Sequence, residues 1–186
     1  MRFIVSLLGI SFLCATALAD ELDLSLNSNA LRVQYFHEIE SSGLSLDGGW
    51  LYHTDNGNVL HAGLHLIDLA SSGRDKVEAG IGGRFVYTNG DSSKQNGFAV
   101  PLGGFIRFTP RAMNRLSISG SAYYAPDILS IGDMTKYQEF SIRASYNILR
   151  QADAYVGARY VRGDYKGGVA DVRYDTGMHV GMSLRF

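Results

Sequence analysis

Four histidines, His53, His61, His65 and His179, are the side chains of this sequence best suited to acid–base or metal chemistry. His61 and His65 share a strand face. Four strand residues separate them by about 13 Å, too far for both to chelate one ion. His179 and Ser183 fail as a catalytic dyad for the same reason. The hairpin "YHTDNGNVLH" offers more. A three-residue loop Asp55-Asn56-Gly57, with Gly57 left-handed, sets Tyr52 opposite Leu60 and Asp47 opposite His65. An Asp47–His65 pair could orient an imidazole for proton transfer. We read it instead as an interior hydrogen-bonded pair. "TDNGN" lacks the alternating carboxylates of a calcium loop and reads as a turn. No catalytic residue, cofactor site or metal site is assigned.

The elements that carry these residues follow a leader. Arg2, the apolar run Phe3 to Leu13 and the small-x-small triplet Ala17-Leu18-Ala19 have the layout of a secretory signal peptide. Cleavage is expected after Ala19, which makes residues 1–19 the signal and 20–186 one mature domain of 186 − 19 = 167 residues. The one cysteine, Cys14, leaves with the signal, so the mature chain has no disulfide and no thiol nucleophile. Loss of Arg2 moves the formal charge from −1 to 16 − 18 = −2. That balance, with no basic run, argues against nucleic acid.

No stretch of the mature chain has helical periodicity. Period-two alternation runs almost throughout, broken by turn clusters, and divides the chain into ten strands. They cover 21–27, 30–39, 43–53, 58–69, 76–88, 97–109, 115–125, 136–149, 153–162 and 175–186. Even-numbered connections are short, as in "ESS" and "RQA". The fifth, seventh and ninth are longer and polar. Short turns at one end and longer loops at the other are the asymmetry of outer-membrane barrels. The fold expected is therefore a closed, antiparallel, up-and-down transmembrane β-barrel of about ten strands, with eight as the alternative.

One face of every strand carries no Asp, Glu, Lys or Arg. It includes Leu24, Val33, Leu46, Leu64, Ile81, Ile106, Ile118, Ile142 and Val156. A charge at the bilayer midplane costs about 2–4 kcal/mol, so this exclusion is informative. The other face holds Glu21, Asp23, Glu38, Asp47, Glu78, Glu139 and Asp153 against Arg32, Arg84, Arg107, Arg115, Arg143, Arg159 and Arg185. Equal numbers imply paired ions in a narrow lumen, with Glu78, Arg84, Arg107, Glu139, Arg143 and Arg159 the main candidates. Trp50, Tyr52, Tyr87, Phe98, Phe108, Tyr124 and Tyr160 stand near strand ends, where an interfacial girdle belongs. The loop "RGDYKGGVADVRYD" reads as solvated.

A soluble, lipocalin-like barrel would invert the faces. The C-terminus argues against it. Met178, Val180, Met182, Leu184 and Phe186 alternate with small or polar residues up to the last position. Such an ending resembles the signal read by the outer-membrane barrel assembly machinery. The expected surroundings are outer-membrane lipid and lipopolysaccharide, with the chain a monomer.

"ADELDLSLNSNALRVQYFHE", "LSLDGGWLYHTDNGNVLHAGLHL" and "GMHVGMSLRF" together resemble the YfaZ family of small Gram-negative outer-membrane proteins. The resemblance runs from signal to terminal residue and implies an outer-membrane β-barrel. It brings no catalytic motif. The function expected is a structural or binding barrel with a charge-paired, largely plugged lumen. A narrow small-solute channel comes second, and a lipid-modifying enzyme or protease of the outer membrane third.

Overall fold

The computed structural model describes residues 20–39, 42–72, 75–90, 95–166 and 171–186. Residues 1–19, with the expected cleavage site at Ala17 and Ala19, lie outside them. Among the described residues twelve strands are present: β1 (Asp20–Leu26), β2 (Ala30–Ile39), β3 (Leu44–His53), β4 (Gly57–Ser72), β5 (Asp75–Asn89) and β6 (Asn96–Ala99). They continue with β7 (Leu102–Thr109), β8 (Leu116–Ala125), β9 (Ser130–Gly132), β10 (Met134–Leu149), β11 (Ala152–Tyr165) and β12 (Val172–Arg185).

Ten of these close into a ring. Each of β1 to β5 pairs antiparallel with the next, β5 then pairs with β7, and the order continues through β8, β10, β11 and β12. β12 returns to β1, with Leu22 opposite Leu184. The Asp20 and Phe186 backbones exchange both hydrogen bonds at 3.2 and 3.0 Å, so the last residue completes the ladder. Closure leaves no unpaired edge in the ring, which a lipid environment demands. The barrel is ten-stranded.

Two departures from the expected segments have local causes. The predicted strand 97–109 is two strands, because Pro101 has no N–H to give the ladder. β6 continues upward with β5 and pairs with the short β9, which lies inside the expected seventh loop. The other departure is at the last hairpin. β11 and β12 run further than expected, to Tyr165 and from Val172, so only part of "RGDYKGGVADVRYD" is loop. A bulge sets Val161 opposite Asp175 and Arg162 opposite Arg173, leaving Tyr174 as the extra residue. Both Tyr174 and Asp175 are buried inside, as bulged neighbours can be.

The faces are as the alternation requires. Leu24, Leu46, Leu64, Ile81, Ile106, Ile142, Val156 and Val180 are exposed outside. Trp50 and Tyr52 lie 6.0 Å apart by ring centroids on the outer surface, and Tyr87 packs on Phe98 at 4.8 Å. The buried side chains fill the interior. Among them is an apolar core at the loop end, formed by Leu51, Val59, Val86, Met134, Tyr137, Val161, Tyr165 and Tyr174.

Candidate functional site

The lumen is the site, and its polar half is built around a missing side chain. In the β3–β4 hairpin the loop is Thr54-Asp55-Asn56, and Gly57 (φ 97°) pairs with His53. His53 Nδ1 accepts hydrogen bonds from the Asp55 and Asn56 amides at 3.1 and 3.2 Å. This imidazole caps a turn. The expected register is therefore displaced by two residues: Trp50 faces Leu60, and Asp47 faces Gly63 rather than His65. A Cβ on Gly63 would overlap Asp47 Oδ1 and come within 2.8 Å of Arg84 Cγ. The carboxylate thus occupies the place a side chain would take.

His61 and His65 flank that position and both lean into it. His61 Nε2 is 3.1 Å from Asp47 Oδ2, and His65 Nδ1 is 3.0 Å from Oδ1. Strand rise separates their backbones by about 13 Å, but the two side chains converge on the carboxylate that stands midway. Arg84 Nε adds a third contact to Asp47 at 3.0 Å. Among the described residues no group of three His, Cys, Asp or Glu side chains could hold a metal ion. Arg84 takes the place on the carboxylate that a cation would need.

From Asp47 the network spreads across the barrel. Arg84 also reaches Glu139 at 3.2 Å, and Arg32 meets the same carboxylate at 2.8 Å. Tyr137 donates to Glu139 Oε2 at 2.9 Å. Tyr123 lies against Arg84, with the guanidinium carbon 3.9 Å from the ring centroid, and its hydroxyl bonds His65 Nε2 at 2.9 Å. Arg159 is 2.5 Å from Asp175, whose other oxygen accepts from Asn27 at 2.5 Å. Asp47, Glu139 and Asp175 are all at least 95% buried. A carboxylate so placed is tolerable only when it is paired: Asp47 has Arg84 and two imidazoles, and Glu139 and Asp175 have arginines and further hydrogen bonds.

Nearer the termini the packing loosens. Arg143 bonds Asp23 at 2.8 Å and Ser119 at 3.1 Å, and Tyr155 donates to Asp23 at 2.6 Å. Arg107 stands between Glu21 at 3.7 Å and Glu78 at 3.6 Å. Arg185 meets Asp153 at 2.9 Å. Between these groups lies a cavity of about 300 Å³. Its inner end is closed by buried Arg84, Glu139 and Tyr123. The exposed Glu38 and Leu69 mark its mouth at the end carrying both termini. Beyond Arg84, toward the loop end, Val86, Thr88, Met134 and Tyr174 are wholly buried.

The structure places Glu78, Arg84, Arg107, Glu139, Arg143 and Arg159 in the lumen, each in an ion pair. Asp47 and His65 are in contact there, away from the lipid-facing surface where an outer-membrane lipid enzyme would need them. Two members of the fourteen-charge set differ: Glu38 and Arg115 are exposed and make no ion pair among the described residues. Asp175 belongs in the set instead. It opens the expected strand 175–186 with inward parity, but it also ends the polar run read as loop and is not among the inward charges expected. Parity puts Tyr123, Tyr137 and Tyr155 on the inner face, whereas Tyr165 and Tyr174 fall in the run read as loop and have no pattern to mark them. Met178, Val180, Met182, Leu184 and Phe186 line the outer face of the closing strand and its end.

The family model described as "YfaZ precursor" matches residues 2–186. The chain belongs to the YfaZ family. A curated relative, "Outer membrane protein YfaZ" of Escherichia coli (strain K12), is 33% identical over 148 residues, covering 79% of this chain and 77% of that one. The family member described here is accordingly an outer-membrane β-barrel, and the soluble lipocalin-like reading falls. The family's description as a precursor accords with an N-terminal signal peptide. Among solved structures the chain is similar to the KdgM porin, at TM-score 0.45 and 11% identity over 90% of this chain and 99% of that one. It is also similar to the NanC porin, at TM-score 0.42 and 12% identity over 91% and 99%.

Proposed function

We propose that this family member is a non-conducting barrel, sealed toward the outside and open as a blind cup toward the periplasm, with a binding or structural role. The short turns and both termini lie at the cup's mouth, and outer-membrane barrels keep short turns in the periplasm. The supporting observation is the seal. Tyr137, Tyr174, Met134, Val86 and Val161 fill the loop half of the lumen at 1% exposure or less. Below them the Asp47–Arg84–Glu139–Arg32 ion layer spans the section. A ten-stranded barrel is only slightly wider than an eight-stranded one, whose interior side chains fill it. Opening a path would mean unpacking dry tyrosines and separating buried ion pairs together. Transport by diffusion is disfavoured on that ground, and catalysis by the Asp47–His65 pair because that pair is walled in. Planar-bilayer recording on the reconstituted barrel tests the reading. Baseline current at physiological voltage is expected, and a steady, reproducible single-channel conductance would overturn it.

A further inference from the structure

We propose that the cup is a binding site for an uncharged, polyhydroxylated solute of small-sugar size. The inference rests on the sealed reading, since a blind end is what turns a lumen into a pocket. A cavity of about 300 Å³ has the room of about ten water molecules and lies at the small end of the range for ligand sites.

The charge balance selects the ligand class. Each arginine lining the cup already has a carboxylate: Arg143 has Asp23, Arg107 has Glu21 and Glu78, and Arg185 has Asp153. An anion would compete with those carboxylates, and a cation inside the cup with the arginines, the unpaired Glu38 standing exposed in water at the mouth. Either would strand a charge in a poorly hydrated interior. A ligand without charge leaves every pair intact.

The polar groups left over are of both kinds. His179 lines the cavity at 5% exposure, and its Nδ1 has no hydrogen-bond partner among the described residues. Arg32 Nε, a donor, and Glu21 Oε1, an acceptor, are buried without hydrogen bonds as well. The polar atoms of all three are covered in this arrangement; sugar hydroxyls donate and accept at once, so one molecule can serve such a mixed set when those side chains turn toward it.

The walls complete the argument. Ser119, Ser121 and Ser141 on β8 and β10 present small hydroxyls to the cavity, and Phe36 and Phe105 present apolar rings. Gly80 makes room for the Phe105 ring, since a Cβ there would overlap it. Hydroxyls beside aromatic faces match a sugar, which is polar at its rim and apolar on its C–H faces.

Calorimetric titration of the folded barrel in detergent, with glucose, maltose, gluconate and putrescine as probes, tests this. The uncharged sugars should bind with a dissociation constant of about 1 mM or tighter. Gluconate and putrescine should bind at least about tenfold more weakly. Ser121→Phe, which narrows the cup from a residue that is itself in no ion pair, and His179→Leu should each weaken sugar binding by about tenfold. Folding of each variant is checked by heat-modifiable mobility. If Ser121→Phe does not fold, His179→Leu decides alone. No sugar binding, tighter binding of a charged probe, or unchanged affinity in the folded variants would overturn the site. Bilayer recording separates the two readings: no current and no sugar binding sinks the site alone, whereas current without sugar binding sinks both.

Discussion

Arg143 on β10 meets Asp23 on β1 across the lumen, Nη1 to Oδ2 at 2.8 Å, although β11 and β12 stand between those strands in the ring. The contact joins residues 120 positions apart in sequence. It is a strut across the barrel and not a neighbour contact within the sheet.

Removing one end of that strut leaves the other buried. Arg143→Ala should lower the unfolding free energy by about 3 kcal/mol, because Asp23 is 1% exposed and keeps only the Tyr155 hydroxyl and weaker contacts. Arg115→Ala, at an exposed and unpaired arginine, should change it by less than about 0.5 kcal/mol. Urea unfolding from lipid vesicles, followed by fluorescence of the single tryptophan, Trp50, measures both. Equal stability of the two variants would contradict a dry, ion-paired interior.

Gly63→Ala tests the space taken by Asp47. The new methyl would overlap the carboxylate and press on Arg84, so we expect a loss of about 1–3 kcal/mol. Gly48→Ala, where a Cβ meets only the His61 carbonyl at 3.7 Å, should be tolerated. The same unfolding titration compares them, and a harmless Gly63→Ala would mean the Asp47 cluster is not close-packed.

Two leucines of β4 separate lipid from lumen. Leu64 faces outward near mid-strand, so Leu64→Arg should hinder folding into bilayers by about 2–4 kcal/mol. Leu69 stands at the cup mouth opposite Glu78, where an arginine finds water and a carboxylate. Leu69→Arg should fold like the parent. Comparable losses at both positions would place the hydrocarbon boundary elsewhere.

Deleting Phe186 removes both hydrogen bonds that it exchanges with Asp20 at the closing seam, together with the apolar terminus proposed as an assembly signal. Phe186→Asp keeps the backbone and alters only the side chain. Both variants should accumulate unfolded in the periplasm, seen by membrane fractionation and loss of heat-modifiable mobility. A folded, membrane-inserted Phe186→Asp protein, with only the deletion defective, would assign the residue to closure and not to recognition.

The sequence by itself determined the strands, their two faces and the membrane setting. Alternation is local: Leu64 outside and His65 inside follow from a two-residue period, and a charge-free face repeated in every strand leaves lipid as its partner. Even the closing role of the last strand was legible, since Met178 to Phe186 never breaks step. What the sequence could not decide was how the inner face is used along the barrel axis. Parity says that Arg84, Asp47, Glu139 and Tyr137 point inward, but not that the first three lock one layer while Tyr137 joins an apolar core above them. Those contacts bridge strands that are not neighbours, and their choice depends on register. A single hairpin moved by two residues replaced His65 with Gly63 opposite Asp47, and a bulge turned Tyr174 inward from an apparent loop. Register and bulges arise from turn capping and ladder closure acting together around the ring. They are fixed together where β12 meets β1.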